Sequence, residues 1–521
     1  MTIPYLSLIT LAPLAGAILS LFIPRQREGA IKWFSILVSL VPLALSAYLW
    51  VSYDATLGGP QFEERYDWIP AINVEYRMGV DGLSVPLIFL TALLTTLSLY
   101  YSAFTIQERI KEYCALFLLL ETGMIGVFTS LNYFLFYIFW EVGLVPMYFI
   151  IGVWGGPRRE YAAIKFFLYT LAGSVLMLLA ILAMFFAKGS FDILRLQQEL
   201  RPFTDDFFLQ SLAFWAFFLA FAIKVPLWPF HTWLPDAHVE APTAGSVLLA
   251  GILLKLGGYG FFRILLPTFP QAFHTFAIPI ALMALMSIVY GALVSMAQWD
   301  LKKLIAYSSV NHMGYVILGL AAAALLTPVG LAAGSSAAPA AATEILNSKV
   351  MALNGGVLEM FNHGVITGGM FFLVGIIYER THTRQLREFG GLGSQIPLYY
   401  AVMTTTALAS LGLPGLAGFV SEFLIFRGSL PLITPIAVIA ISGILITAAF
   451  LLWKVIQLMF LGPLNAKWTG LPDMDRFELI TMAPLIFLMV LFGLYPAPIL
   501  TMVNKAMSDL FSIVPVVAGL F

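Results

Sequence analysis

The apolar residues of this chain fall in long uninterrupted runs, near positions 3–23, 31–52, 80–103, 113–130, 132–154, 161–187, 207–234, 243–266, 273–296, 303–326, 350–378, 396–426, 433–461 and 477–503. A run of about 18 or more such residues is long enough to cross the hydrocarbon of a bilayer as a helix. Lipid offers backbone amides no partner, so each crossing segment must satisfy its own, which a helix does. A membrane barrel would show short alternating strands instead. The pattern predicts an all-α polytopic membrane protein of about fourteen transmembrane helices. Composition agrees: 60% of the 521 residues are hydrophobic and 11% charged, against about 25% charged in a water-soluble domain.

Loop charge sets an orientation. Arg25, Arg27 and Lys32, then Arg109 and Lys111, then Arg158 and Arg159 follow alternate runs, as do Lys302 and Lys303, Arg380, Arg384 and Arg387, and Lys467 with Arg476. The intervening loops are poor in Lys and Arg and often acidic, with Glu63, Glu64 and Asp67, then Asp205 and Asp206. The positive-inside bias then puts both termini on the non-cytoplasmic side. The apolar N-terminus lacks a basic n-region and a small-residue cleavage site, and reads as a retained first span.

Several function classes drop out. A net charge of −1 without a basic block gives no footprint for nucleic acid. Cys114 is the only cysteine, which excludes an intrachain disulfide and a cysteine-ligated iron–sulfur cluster. No Gly-rich dinucleotide turn and no Walker-type Gly-Lys-Ser/Thr is present, so the chain is expected to bring no redox centre or nucleotide site of its own. His231 and His238 flank a proline-rich break with no third ligand at metal-site spacing, so no metal is expected there.

Two runs are interrupted. The seventh reads KVPLWPFHTWLPDAHVEAP, with Pro226, Pro229 and Pro235, and the twelfth reads LASLGLPGLAGFVSEF, with Gly412, Pro414, Gly415 and Gly418. One such interruption is a simple kink that lipid tolerates. Two, each beside a charge, point to a broken-helix transporter with repeated halves.

An ionisable group at mid-membrane costs at least about 2.5–3.5 kcal/mol, so each one needs a reason. Glu141 sits deep in the fifth run, Lys224 at the break of the seventh, Lys255 near the centre of the eighth, and Glu422 just past the break of the twelfth. Sparse Glu and Lys on apolar helices suit a proton relay, because neighbours can shift their charge state. Plainer readings stand beside this one: a static ion pair for Glu141 and Lys224, snorkelling for Lys255 and an interfacial carboxylate for Glu422. His312 and His363 lie in the tenth and eleventh runs. Imidazole both gives and accepts protons near neutrality, although a lone apolar-helix histidine is more often simply hydrogen-bonded. Glu359 lies one turn before His363, within reach of its proton. Asp81, just before the third run, reads as a helix cap.

At KVPLWPFHTWLPDAHVEAPTAGSVLLAGILLKLGGYGFFR the chain closely resembles the antiporter-like membrane subunits of complex I, most of all the chain 4 type. GVDGLS, FWEVGLVPMY, AIKFFLYT, LKKLIAYSSVNHMGYV, HGVITGG, YERTHTRQLREFGGL and LGLPGLAGFVSEF agree, over residues 76–460. The resemblance implies two inverted five-helix repeats with broken helices 7 and 12, placed at 111–266 and 267–461 between N-terminal helices (1–110) and a last helix (462–521). It implies a proton path on Glu141, Lys224, Lys255, His312, His363 and Glu422, whereas Glu359 stands where an uncharged polar residue is expected. It further implies that quinone, NAD(P)H or ferredoxin and iron–sulfur clusters are bound by partner subunits, both membrane and hydrophilic. The wording of the sequence is most like the cyanobacterial and plastid form, which implies plastoquinone and a thylakoid membrane. A multisubunit sodium/proton antiporter shares much of this motif set and is the competing reading; a third is a purely structural membrane subunit.

Overall fold

The computed structural model describes residues 4–325 and 339–513. Helix dominates, and twelve of the described helices are long and apolar enough to cross a membrane, from Glu28–Ser52 to Arg476–Leu494. The chain is thus a polytopic helical membrane protein, as the apolar runs predict.

Twelve is the number of long apolar helices among the described residues, and shorter or kinked segments stand beside them. The first helix, Tyr5–Ser20, has only 16 residues. The run expected as one span at 396–426 is two pieces, Pro397–Ser410 and a helix starting at Ala417. That second helix is broken at Ile433 (φ −139°, ψ 50°), between Pro431 and Pro435, where the next span was expected to begin, and helix then continues to Phe450. Proline removes a backbone donor and crowds the preceding turn, which bends a helix without ending it when packing holds both arms. The fifth run divides at Gly143 into Tyr133–Val142 and Leu144–Trp154.

The chain divides into two compact units. The first comprises residues 4–226, Ile252–Ala277 and 501–513; the second comprises Leu227–Gly251 and the described part of Ile278–Leu500. In the first, Tyr5–Ser20 packs on Ile110–Thr129, and Arg159–Lys188 packs on Phe207–Lys224. In the second, the helix Thr343–Thr381 is buried along its apolar length between Leu301–Ala324 and Ala417–Phe450.

One element falls outside the all-helical expectation. Gln61–Ile69 and Val74–Val80 form an antiparallel hairpin, turning through Asn73 in the left-handed region (φ 51°). Asn tolerates that conformation better than most residues. Arg65 and Arg77 face each other across the strands, and each is neutralised, Arg65 by Glu75 at 2.7 Å and Arg77 by Glu63 at 2.5 Å and by Asp192.

Below the hairpin, Asp81 caps the next helix as expected, its Oδ1 accepting from the amides of Leu83 (3.1 Å) and Ser84 (3.2 Å). The same oxygen pairs with Arg263 Nη2 at 2.5 Å, a partner no local pattern announces. Arg263 Nε donates to the Tyr259 hydroxyl (3.1 Å), which donates to the Phe128 carbonyl (3.2 Å). This chain of bonds ties the Ile110–Thr129 helix to the one that carries Lys255. Burial alone would raise the Asp81 carboxyl, but the Arg263 guanidinium and the two amides hold it below its ordinary value. A carboxyl lowered in this way stabilises the fold above its ordinary range, and that stabilisation is lost as pH falls through the lowered value. Asp81→Ala leaves a buried guanidinium unpaired, at a cost of about 3–5 kcal/mol. The expected result is a clearly lower thermal unfolding midpoint in detergent, with Asp81→Asn falling between the two.

Candidate functional site

Each unit buries its own set of charges. In the first, Asn132 starts the Tyr133–Val142 helix by accepting from the amides of Phe134 (2.9 Å) and Leu135 (3.3 Å). That helix carries Glu141 to its last turn, immediately before the division at Gly143. The backbone of Ile110–Thr129 presses on this junction: a Cβ on Gly123 would lie 2.6 Å from the Gly143 nitrogen. Glu141 is half-buried, and its Oε1 is fully enclosed with no hydrogen-bond partner.

Lys224 is the last residue of Phe207–Lys224, where the proline-rich segment ends the helix. The side chain is 1% exposed and its Nζ has no hydrogen-bond partner among the described residues. The ammonium instead sits 5.2 Å from the Trp140 ring centroid and 6.0 Å from that of Phe166. Glu141 is the carboxylate that acts on it electrostatically, yet no Glu141–Lys224 ion pair closes within 4.0 Å among the described residues. Aromatic faces are worth about 2 kcal/mol to a desolvated cation, which offsets only part of its burial. The static ion pair is therefore not the arrangement found; the two groups lie near each other and unjoined.

Other buried lysines behave differently. Lys302 Nζ donates to the Ala241 carbonyl at 2.5 Å, and Lys454 Nζ to Gln298 at 2.7 Å. Lys349 donates to the Leu325 carbonyl. These cations are fixed on backbone oxygens, and Lys224 is not.

Lys255 is fully buried, on a short α-helical stretch, Leu254–Gly260, bracketed by π turns at Leu249–Leu253 and Phe261–Leu265. Such π turns widen a helix locally and frequently mark functional sites. Gly257 brings this stretch against the end of the preceding helix, since a Cβ there would lie 2.8 Å from the Phe221 carbonyl and 3.0 Å from Lys224 Cβ. The two lysines are thereby held on touching turns.

Glu121 is a further buried carboxyl of the first unit, and sequence reasoning missed it. It is 0% exposed, and neither carboxyl oxygen has a hydrogen-bond partner. A signal was present, since Glu121 is a single acidic residue inside the run LFLLLETGMIG.

In the second unit the twelfth-run break does the positioning. Residues 411–416 leave the helix, with Gly412 (φ +77°) and Gly415 (φ +92°) in the left-handed region. Glu422 lies on the first turns of the following helix, and a Cβ on Gly412 would fall 2.7 Å from its Oε2. Nδ1 of His312 lies 3.4 Å from Glu422 Oε1 and 3.5 Å from Glu359 Oε1. Its Nε2 lies 3.4 Å from the Ser410 hydroxyl, and the His363 ring centroid is 5.6 Å away. The structure thus brings together His312, His363 and Glu422 and adds Glu359, whose role the sequence leaves open. A cavity of about 10 Å³ between His312, Glu359, His363, Thr367 and Ser410 is about the room one water needs. Ligand atoms of His312, Glu359 and Glu422 all lie within 4.8 Å of one another, close enough to exchange protons or hold a small cation. His231 and His238 take no part in this cluster: His231 packs by Tyr290, and His238 stacks on Phe371 at 4.5 Å.

A family model described as NADH:quinone oxidoreductase/Mrp antiporter, TM, matches residues 130–330 and 331–447. NADH-quinone oxidoreductase subunit M of Rickettsia prowazekii is 40% identical over 512 residues, covering 98% of this chain and 99% of the relative. NAD(P)H-quinone oxidoreductase chain 4 1 of Synechococcus elongatus is 39% identical over 501 residues, covering 95% and 89%. Among solved structures, a chain of respiratory complex I from Thermus thermophilus superposes with a TM-score of 0.83 at 28% identity, over 97% of this chain and 99% of that one.

The break around Glu422 makes its own prediction. Gly412→Ala places a side chain at φ +77°, a cost of about 1–2 kcal/mol, and crowds the carboxylate. Its thermal unfolding midpoint should fall, whereas Gly29→Ala, with no atom within 4 Å of the added carbon, should leave the midpoint in place.

Proposed function

The chain belongs to the NADH:quinone oxidoreductase/Mrp antiporter family of membrane subunits, and on that premise we propose that it translocates protons through two buried relays within an NADH-quinone oxidoreductase. One relay is Glu141, Lys224 and Lys255; the other is His312, His363 and Glu422. They fall in the proposed repeats 111–266 and 267–461 respectively. The observation that carries the reading is Lys224, a buried ammonium with no hydrogen-bond partner, lying near Glu141 and not joined to it. A buried ammonium that no hydrogen bond among the described residues fixes is open to a change of partner. A purely structural ion pair would instead be closed and hydrogen-bonded.

Oxidation of the electron donor and reduction of quinone belong, in this reading, to partner subunits, with the iron–sulfur clusters and nucleotide held there. The subunit M relatives, at 40–41% identity, draw the reading toward an NADH-linked quinone oxidoreductase in a bacterial plasma membrane. The plastoquinone-linked thylakoid form draws on the Synechococcus chain at 39%. The family description also names Mrp antiporters; isolation of the chain in a complex without hydrophilic redox subunits would favour that second reading.

The test is proton pumping by the assembled complex with Lys224→Ala or Glu141→Gln. Each is expected to lower pumping by about a hundredfold, the lower end of what a positioned proton-transfer group contributes, with assembly unchanged on a native gel. Pumping at the wild-type rate by both variants would remove the first relay.

A further inference from the structure

Glu359 is the one buried carboxylate at the second relay that the family reading leaves without a role. It is 2% exposed, on the helix Thr343–Thr381, and it approaches the same His312 nitrogen as Glu422 does. The two carboxylates are nearly equidistant from one nitrogen, 3.5 Å and 3.4 Å from His312 Nδ1. They are not equivalent. The Ser421 hydroxyl donates to Glu359 Oε2 at 2.6 Å, and Asn362 Nδ2 donates to the Ser421 oxygen at 3.2 Å and to the Ala417 carbonyl at 2.7 Å. Ser421 thus anchors one Glu359 oxygen and leaves Oε1 toward His312. Gly412 approaches Glu422 Oε2 with bare Cα instead. Two ionised carboxylates this close in a dry interior repel, and one bound proton relieves the repulsion.

We propose that Glu359 and Glu422 hold one exchangeable proton in common across Nδ1 of His312, with Glu359 the ionised partner that retains it. The proposal rests on the second relay described above and deepens it. In the transfer step the Glu422 O–H bond breaks as the His312 Nδ1–H bond forms, while the other imidazole proton stays on Nε2 toward Ser410. Glu359 is ionised on both sides of the step, so the cluster keeps its charge while the proton moves. The groups that face the exchange are His312 and Tyr315 from one helix, Glu359 and His363 from a second, and Glu422 from a third. Glu359 is thus a positioning residue that acts through Glu422 and His312.

Difference infrared spectroscopy on the assembled complex tests this with Glu359→Gln, Glu422→Gln and the double variant. A shared proton predicts that each single variant loses the same single signature, a protonated carboxyl C=O stretch or an imidazolium ring mode, and that the double variant loses nothing further. Survival of the signature in either single variant, or loss of two in the double, overturns the proposal. Glu359→Met, uncharged and of similar length, gives the same reading where Glu359→Gln does not assemble. Pumping measured with Lys224→Ala and Glu141→Gln reads the broader assignment separately, so the two ideas fail independently.

Discussion

A helix that stops among apolar surroundings leaves carbonyls at its end and exposes the amides of the residues that follow, and this chain stops its helices beside its buried charges. Around Lys224 the solution is proline. Pro226 and Pro229 carry no amide hydrogen, so two of the donors a broken helix would expose do not exist. Of those that remain, Val225 donates to Phe221 (2.9 Å) and Phe230 to Leu227 (2.7 Å). At the other break, Leu413 donates back to Leu408 (3.0 Å) and Leu416 to Leu413 (3.0 Å), while the Ala417 carbonyl accepts from Asn362. A break satisfied from within can sit in a packed interior without a water to cap it. That is the condition for placing Lys224 at a helix end and Glu422 just after a turn.

The charges then divide by how they are held. Asp81 with Arg263, and Arg380 with Glu478 at 2.6 Å, are closed pairs. They fix one helix against another and leave no room for a change of charge. Lys302, Lys349 and Lys454 are fixed on carbonyls. Lys224 has aromatic faces and a nearby carboxylate, and His312 has two carboxylates for one nitrogen. Unlike the others, these groups are not locked in a single closed pair. Glu121 is a further enclosed carboxyl of the first unit, with no hydrogen-bond partner among the described residues.

Much of this was legible in the sequence, and what was not has physical causes. Apolar runs announce helices because lipid permits little else, so the fold class reads directly. The boundaries read less directly, because the run at 396–426 is split by a Gly/Pro turn into Pro397–Ser410 and a helix from Ala417, and because the first helix, Tyr5–Ser20, fills only part of its run. The hairpin at Gln61–Val80 hides in a polar loop whose alternation covers only a few residues. Lys224, Lys255 and Glu422 stand out as charges in apolar runs, a signal equally present at Glu121. That Glu359 and Glu422 flank one imidazole could not be read, since their helices are brought together only by tertiary packing.

The central claim is that buried, exchangeable charges in this chain carry protons. Proton uptake by sealed membrane vesicles whose complex carries Lys255→Ala, with assembly followed on a native gel, tests it most directly. Loss of uptake in an assembled complex is the predicted result. Uptake at the wild-type rate would contradict the account, leaving a fully buried lysine between two π turns with a structural role alone.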